Sequence, residues 1–309
     1  MLKSVVLWIS IVFTLTVQAA DPPQVVVTLK PIYALVSGVM AGVGTPVLLL
    51  QGGESPHTYS MKPSQIKLLH EADLIVWVGP GMEKFLEKLL VTLHKTTREL
   101  QLTEIKGLTI LKVRQSGAWE SHAHLDLHEN DKSNPSEQID SHLWLDLYNA
   151  KVIVKAIAET LSQLDTKQAS RYQDNAVRLT KQVDQLDQEL TAQLAPAKNL
   201  PFLVFHDAYQ YFEKRYGLTA VGSITLSPEQ SPSAKKLHEL RTRINQLQVR
   251  CVFSEPQFEP GLVTTLIEGT PVRRGILDPL GVQLPTGTEA YFVLLRNLAD
   301  SLNKCLLAK

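Results

Sequence analysis

Nine histidines are the residues of this 309-residue chain best suited to chemistry, and their neighbours sort them. His57 sits in the loop Ser55-Pro56-His57, which leaves an apolar stretch ending near Leu50. His206 closes the apolar run Phe202–Phe205, and His142 leads from a long polar segment into Leu143-Trp144-Leu145. Asp278 ends the run Arg273–Leu277. Ligands of open parallel sheets bind outside the carboxyl ends of strands, and three of these four residues occupy such ends or the loops leaving them. They come from both halves of the chain, so a site between two domains would collect them. Neutral imidazole suits Zn²⁺, which takes four ligands from His, Cys and carboxylate, whereas Mn²⁺ prefers more oxygen. His57, His142 and His206 with Asp278 or a water make a complete shell. Dispersed histidines carry little specificity, and each taken singly also fits a structural role.

The remaining candidates have plainer readings beside the chemical ones. His122, His124 and His128 lie in an acidic segment, 115–141, with Glu120, Asp126, Glu129, Asp131, Glu137 and Asp140. A loop that long is functional or disordered: it is either an auxiliary zinc-binding loop or a solvated acidic one. His70, His94 and His238 fall on helical stretches as surface or packing residues. Asp207 either orients a ligand or caps the helix that follows. Trp144 and Phe205 pack near the site.

The elements that must position these residues alternate. Val25–Leu29, Thr45–Leu50 and Leu74–Val78 read as strands, with helices after Pro31, over Pro63–His70 and from Met82 to about Thr96. Asp146 can cap a helix running to about Leu164. A second helical stretch, about Lys167 to Leu194, has Ala176, Leu179, Val183, Leu186, Leu190 and Leu194 at helical spacing and no Gly or Pro. At 1.5 Å per residue it is roughly 40 Å long, enough to brace two domains. A second alternating set follows: strands at Phe202–Phe205, Leu218–Ile224, Arg250–Phe253 and Arg273–Leu277, and helices at Asp207–Tyr216, Ser233–Leu247, after Pro260, and Thr288–Leu307. Alternation of this kind implies α/β architecture with parallel sheets. The expected organisation is a signal segment 1–20, a first α/β lobe 21–165 carrying the loop 115–141, a linking helix 166–195 and a second α/β lobe 196–309.

Met1–Ala20 has Lys3, an apolar run Val5–Val17 and the small-residue ending Val-Gln-Ala-Ala, the pattern of a cleaved secretory signal. Its apolar run is short of the roughly 20 residues that span a bilayer. Acidic and basic residues balance at 31 each, which argues against a nucleic-acid binder needing a basic footprint. Cys251 and Cys305 are expected to pair in an oxidising compartment; a metal-thiolate pair or two buried thiols are the alternatives.

Four stretches carry a resemblance. Ser55-Pro56-His57-Thr58-Tyr59-Ser60 with Lys62-Pro63-Ser64, Asp140-Ser141-His142-Leu143-Trp144-Leu145, Phe205-His206-Asp207-Ala208-Tyr209 with Tyr211-Phe212, and Leu277-Asp278-Pro279-Leu280-Gly281 resemble, in order, the four ligand motifs of the cluster A-I periplasmic metal-binding proteins. Ser254-Glu255-Pro256-Gln257-Phe258 is similar to a stretch of the zinc branch. The resemblance covers essentially the whole chain after the signal. It implies two α/β lobes joined by one long rigid helix, a metal site in the interlobe cleft, periplasmic capture of Zn²⁺ by a monomer, and delivery to the membrane permease of an ABC importer rather than catalysis. Manganese relatives carry Glu at the third position, where this chain has His206. Some zinc receptors have an acidic residue before the first histidine, where this chain has Pro56, so the fourth ligand rests with Asp278 or water. The two-cysteine arrangement resembles that of Gram-negative zinc receptors. The competing functions are a manganese or iron receptor of the same fold and a zinc hydrolase, for which Asp207 is the one adjacent carboxylate considered; no HExxH motif is present.

Overall fold

The computed structural model describes residues 21–93, 96–114, 139–225, 232–258 and 261–308. Met1–Ala20, His94 and the loop histidines His122, His124 and His128 lie outside them. In the first lobe β1 (Val25–Val27), α1 (Lys30–Val39), β2 (Val47–Leu48), α2 (Pro63–Glu71), β3 (Leu74–Trp77), α3 (Glu87–Leu90) and β4 (Arg98–Gln101) alternate. Two helices follow, α4 (Leu147–Leu164) and α5 (Ala169–Leu194). The second lobe contains β5 (Pro201–His206), α6 (Gln210–Tyr216), β6 (Thr219–Thr225), α7 (Ala234–Gln246), β7 (Cys251–Ser254), α8 (Gly261–Ile267), β8 (Arg273–Ile276) and α9 (Glu289–Leu306). Each lobe holds a four-stranded, wholly parallel sheet, ordered β2-β1-β3-β4 and β6-β5-β7-β8. The second strand therefore lies outside the first in both, the same topology twice.

The apolar runs become the inner strands because helices cover both faces of a parallel sheet: β1, β3 and β7 are buried at every residue. Strand β4 has no such signal. Arg98 and Glu99 are exposed on this edge strand, and charge on an edge discourages further pairing. The helix expected from Met82 shrinks to a 3₁₀ turn, Lys84–Leu86, and the four residues of α3. The buried Glu83 carboxylate accepts from the backbone N–H of Val78 and Gly79 and from the Thr28 hydroxyl, so residues 79–83 wrap around a carboxylate instead of starting a helix. The cap expected at Asp146 holds, accepting from Tyr148 N, and Ser233, where a helix was expected to begin, accepts from Lys236 N. Gly217, at φ 67°, ends α6 in the left-handed conformation that glycine adopts without strain.

The 26 residues of α5 span roughly 39 Å, and its predicted apolar stripe is buried. It is not the only link between the lobes. The C-terminal helix α9 returns to pack on both α1 and α5, and one hydrophobic cluster runs without a break from Val25 to Leu306. A smaller cluster under β5 and β7 involves α7 and α8. The disulfide Cys251–Cys305 ties β7 to α9 across 54 residues, a closure worth roughly 4 kcal/mol on the chain-entropy account. No helix among the described residues is long and apolar enough to cross a membrane.

Candidate metal centre

His206 is the last residue of β5, at the carboxyl end of the second sheet. His142 immediately precedes a 3₁₀ turn, Leu143–Leu145, whose three residues are buried. The two are held together by a clasp. Lys112 bridges Ile139 as an antiparallel pair. Gln210 on α6 donates to the Lys112 carbonyl at 3.0 Å and to Asp140 Oδ2 at 3.1 Å. The Tyr211 hydroxyl accepts from Leu111 N at 3.0 Å and donates to the Asp140 carbonyl at 2.9 Å. Arg114 crosses from the same segment to pair with Asp207 and Glu213. The backbone carrying His142 is thereby fixed to the helix that follows His206.

Each of these two rings is backed by a carboxylate. His142 Nδ1 lies 2.9 Å from Asp140 Oδ1, and His206 Nδ1 lies 2.6 Å from Glu255 Oε1. A carboxylate beside Nδ1 accepts a hydrogen bond from Nδ1–H, which fixes the tautomer of the neutral ring with its Nε2 lone pair free for a metal. The two Nε2 atoms face each other at 3.3 Å. Burial disfavours the His206 imidazolium, but the charge and hydrogen bond of Glu255 outweigh it and raise the pKa above 6.5.

His57 completes the group. One ligand nitrogen from each of His57, His142 and His206 lies within 4.8 Å of the others. The His57 ring centroid is 5.9 Å from that of His142 and 6.2 Å from that of His206. Among the described residues no carboxylate backs it. Burial, then the charges of His142 and His206, holds its pKa well below 6.5. That shift favours the neutral ring, the form that coordinates.

The void between the rings is about 10 Å³, room for one small ion or water. Pro56, Met82, Phe258, Pro279 and Leu280 help wall it. Asp140 and Glu255 have no cationic side chain against them beyond the histidines among the described residues, and Glu255 Oε2 is buried without a hydrogen-bond partner. An uncompensated buried charge is costly. Two carboxylates behind rings that face a small void, Glu255 also lining it, match a divalent cation.

The structure does not bring Asp278 into this group of donor atoms. Its carboxylate accepts from the backbone N–H of Leu280, Gly281 and Val282 and from Gln257 Nε2. Burial raises its pKa against the opposing pull of those N–H groups. Asp207 takes neither role foreseen for it. It does not cap α6, whose N-cap is Tyr209, and it does not meet the His206 ring; it holds Arg114. Trp144 stands 5.4 Å from the His142 ring. Phe205 stacks on Phe258, whose ring lies edge-on to His206. Sequence reasoning did not assign Glu255, Asp140 or Arg114 to the site. Glu255 carried a usable signal, a lone acid just after the apolar run Cys251–Phe253 of a buried strand.

A parallel sheet in each of two lobes, with imidazoles converging between them, defines a two-lobed receptor for a small cation. Its relatives agree. The profile described as "ZnuA: Zinc-uptake complex component A periplasmic" matches residues 25–305. The high-affinity zinc uptake system protein ZnuA of Brucella abortus (strain 2308) is 44% identical over 310 residues, covering 93% of both chains. A crystal structure of ZnuA superposes with a TM-score of 0.78 at 24% identity, covering 93% of this chain and 100% of the other. The SBP FpvC of Pseudomonas aeruginosa, solved with Mn²⁺, reaches 0.77 at 22% identity, covering 92% and 98%. The chain belongs to the ZnuA family, the periplasmic zinc-binding receptors of ABC importers.

Proposed function

We propose that this chain captures one Zn²⁺ with His57 and the Nε2 atoms of His142 and His206, a water filling the fourth place. The observation that carries this reading is the 3.3 Å between the two Nε2 atoms. Two nitrogens bound at about 2.0–2.1 Å to a tetrahedral Zn²⁺ stand about 3.3 Å apart. Three imidazoles with one water suit zinc better than the harder Mn²⁺. Asp278 remains with its own loop. After export through the Met1–Ala20 signal, the protein would carry zinc in the periplasm to the membrane permease of an ABC importer. It would act as a carrier and not a catalyst: a hydrolase needs a base beside the metal-bound water, and the candidate, Asp207, is held by Arg114. His122, His124 and His128 would bind further zinc weakly. Metal competition on the purified mature protein tests the assignment. One Zn²⁺ per chain should be retained against excess Mn²⁺; displacement by Mn²⁺ would overturn it.

A further inference from the structure

Lys30 is placed against two physical preferences. It is almost fully buried. It is the first residue of α1, where the helix dipole disfavours a cation. Burial lowers its pKa, with the Asp278 carboxylate opposing. What it gains is a grip on the other lobe: its Nζ donates to the carbonyls of Val282 at 2.6 Å and Leu284 at 2.8 Å.

That grip falls on the segment that walls the metal void. Asp278 gathers the N–H groups of Leu280, Gly281 and Val282 at 3.1, 2.9 and 2.7 Å, so the segment folds around its own carboxylate. Its carbonyls face the first lobe, where Trp144 Nε1 takes Pro279 at 2.9 Å and Lys30 takes the other two. Pro279 and Leu280 line the void, as does Gln257, which donates to Asp278. Asp278 is thus one side chain away from the cation. The chain leading to His57 passes the same point: at Gly52, with φ 138°, an added Cβ would stand 3.3 Å from the Val282 carbonyl.

We propose that Lys30 is a specificity-determining residue for the cargo. By fastening the 278–284 segment across the cleft, it keeps the Asp278 carboxylate turned into its own loop, so the cation meets imidazole nitrogen and no carboxylate oxygen. The inference rests on the three-imidazole reading. Without Lys30 the segment loses two of its three bonds to the first lobe, and Asp278 loses a neighbouring positive charge. The bound cation then competes for that carboxylate against the N–H groups of Leu280, Gly281 and Val282 and the Gln257 amide, in a segment that Lys30 no longer fastens across the cleft. An added oxygen ligand favours a harder ion.

The test uses the mature protein and three chains: wild type, Lys30→Met and Lys30→Met/Asp278→Asn. Zn²⁺ and Mn²⁺ affinities are measured for each by competition with a chelator. The expected result is a zinc-over-manganese preference at least about tenfold lower in Lys30→Met, regained in the double variant. An unchanged preference in Lys30→Met, or a loss that persists without the Asp278 carboxylate, would overturn the proposal. Should Lys30→Met not fold, Lys30→Gln carries the same test. A wild type that holds no stoichiometric zinc would contradict the three-imidazole reading instead, independently of Lys30.

Discussion

The three imidazoles reach one void by two different constructions. His142 and His206 are held by protein groups: each Nδ1 meets a carboxylate, and the clasp from Leu111, Lys112, Arg114 and Asp140 to α6 ties their backbones together. His57 belongs to the loop after β2, where the bond from its own N–H to Ser55 Oγ is long at 3.4 Å, and among the described residues no carboxylate backs its ring. A pre-set pair costs little reorganisation on binding, and a loosely tied third ligand can complete the shell afterwards or leave it first. The difference teaches that high affinity and eventual release can be assigned to different residues of one site.

Substitutions should separate the two constructions. Removing a member of the pair, by His142→Ala or His206→Ala, should have the largest effect, at least about a thousandfold in zinc Kd, or about 4 kcal/mol. His57→Ala should cost less, roughly a hundredfold (about 2.7 kcal/mol), seen mainly as faster zinc dissociation in stopped-flow chelation. Equal losses at all three positions would break the distinction. Removing the charge behind one ring should cost roughly 10–100-fold, the usual range for a carboxylate backing a metal-bound histidine. Glu255→Gln should sit at the upper end of that range. Asp140→Asn should sit at the lower end, because Asp140 stands farther from its ring, 2.9 Å against 2.6 Å, and shares its carboxylate with Gln210.

The pH dependence sharpens the same comparison. Glu255 raises the His206 pKa against the effect of burial, so below that raised value zinc must displace a proton there. Affinity should be full above that raised value and fall about tenfold per pH unit below it. His57, with its lowered pKa, should add a second proton only at lower pH. The His206 proton also stabilises the metal-free fold. Because its folded pKa lies above the unfolded one, that stability is present below pH 6.5 and is lost as pH rises through the folded value. A calorimetric proton count against pH reads the coupling directly, and a two-proton slope starting at neutral pH would contradict the assignment.

Much of this was legible in the sequence because burial writes itself into apolar runs. β1, β3, β5 and β7 announce themselves, as do the α5 stripe and the caps Asp146 and Ser233. Strand β4 was not legible, since an edge strand needs no apolar face and Arg98-Glu99-Leu100-Gln101 shows none. The helix after Met82 was overread because Glu83 turns back onto the backbone, a tertiary choice that periodicity does not encode. At the site, residue types and family motifs pointed to His57, His142 and His206. What holds them was hidden: Glu255 lies 49 residues from His206 and Arg114 lies 93 from Asp207. Asp278 stands where a fourth ligand was expected, but three backbone N–H groups of its own loop compete for the same oxygens. No sequence pattern says which attraction wins.

The most direct test is zinc K-edge absorption spectroscopy of the purified mature protein loaded with one Zn²⁺ per chain. The account predicts four light-atom neighbours at about 2.0–2.1 Å, with the outer-shell scattering of three imidazoles, falling to two imidazoles in His206→Ala. A shell with fewer than three imidazoles in the wild type, or an unchanged shell in the variant, would contradict it.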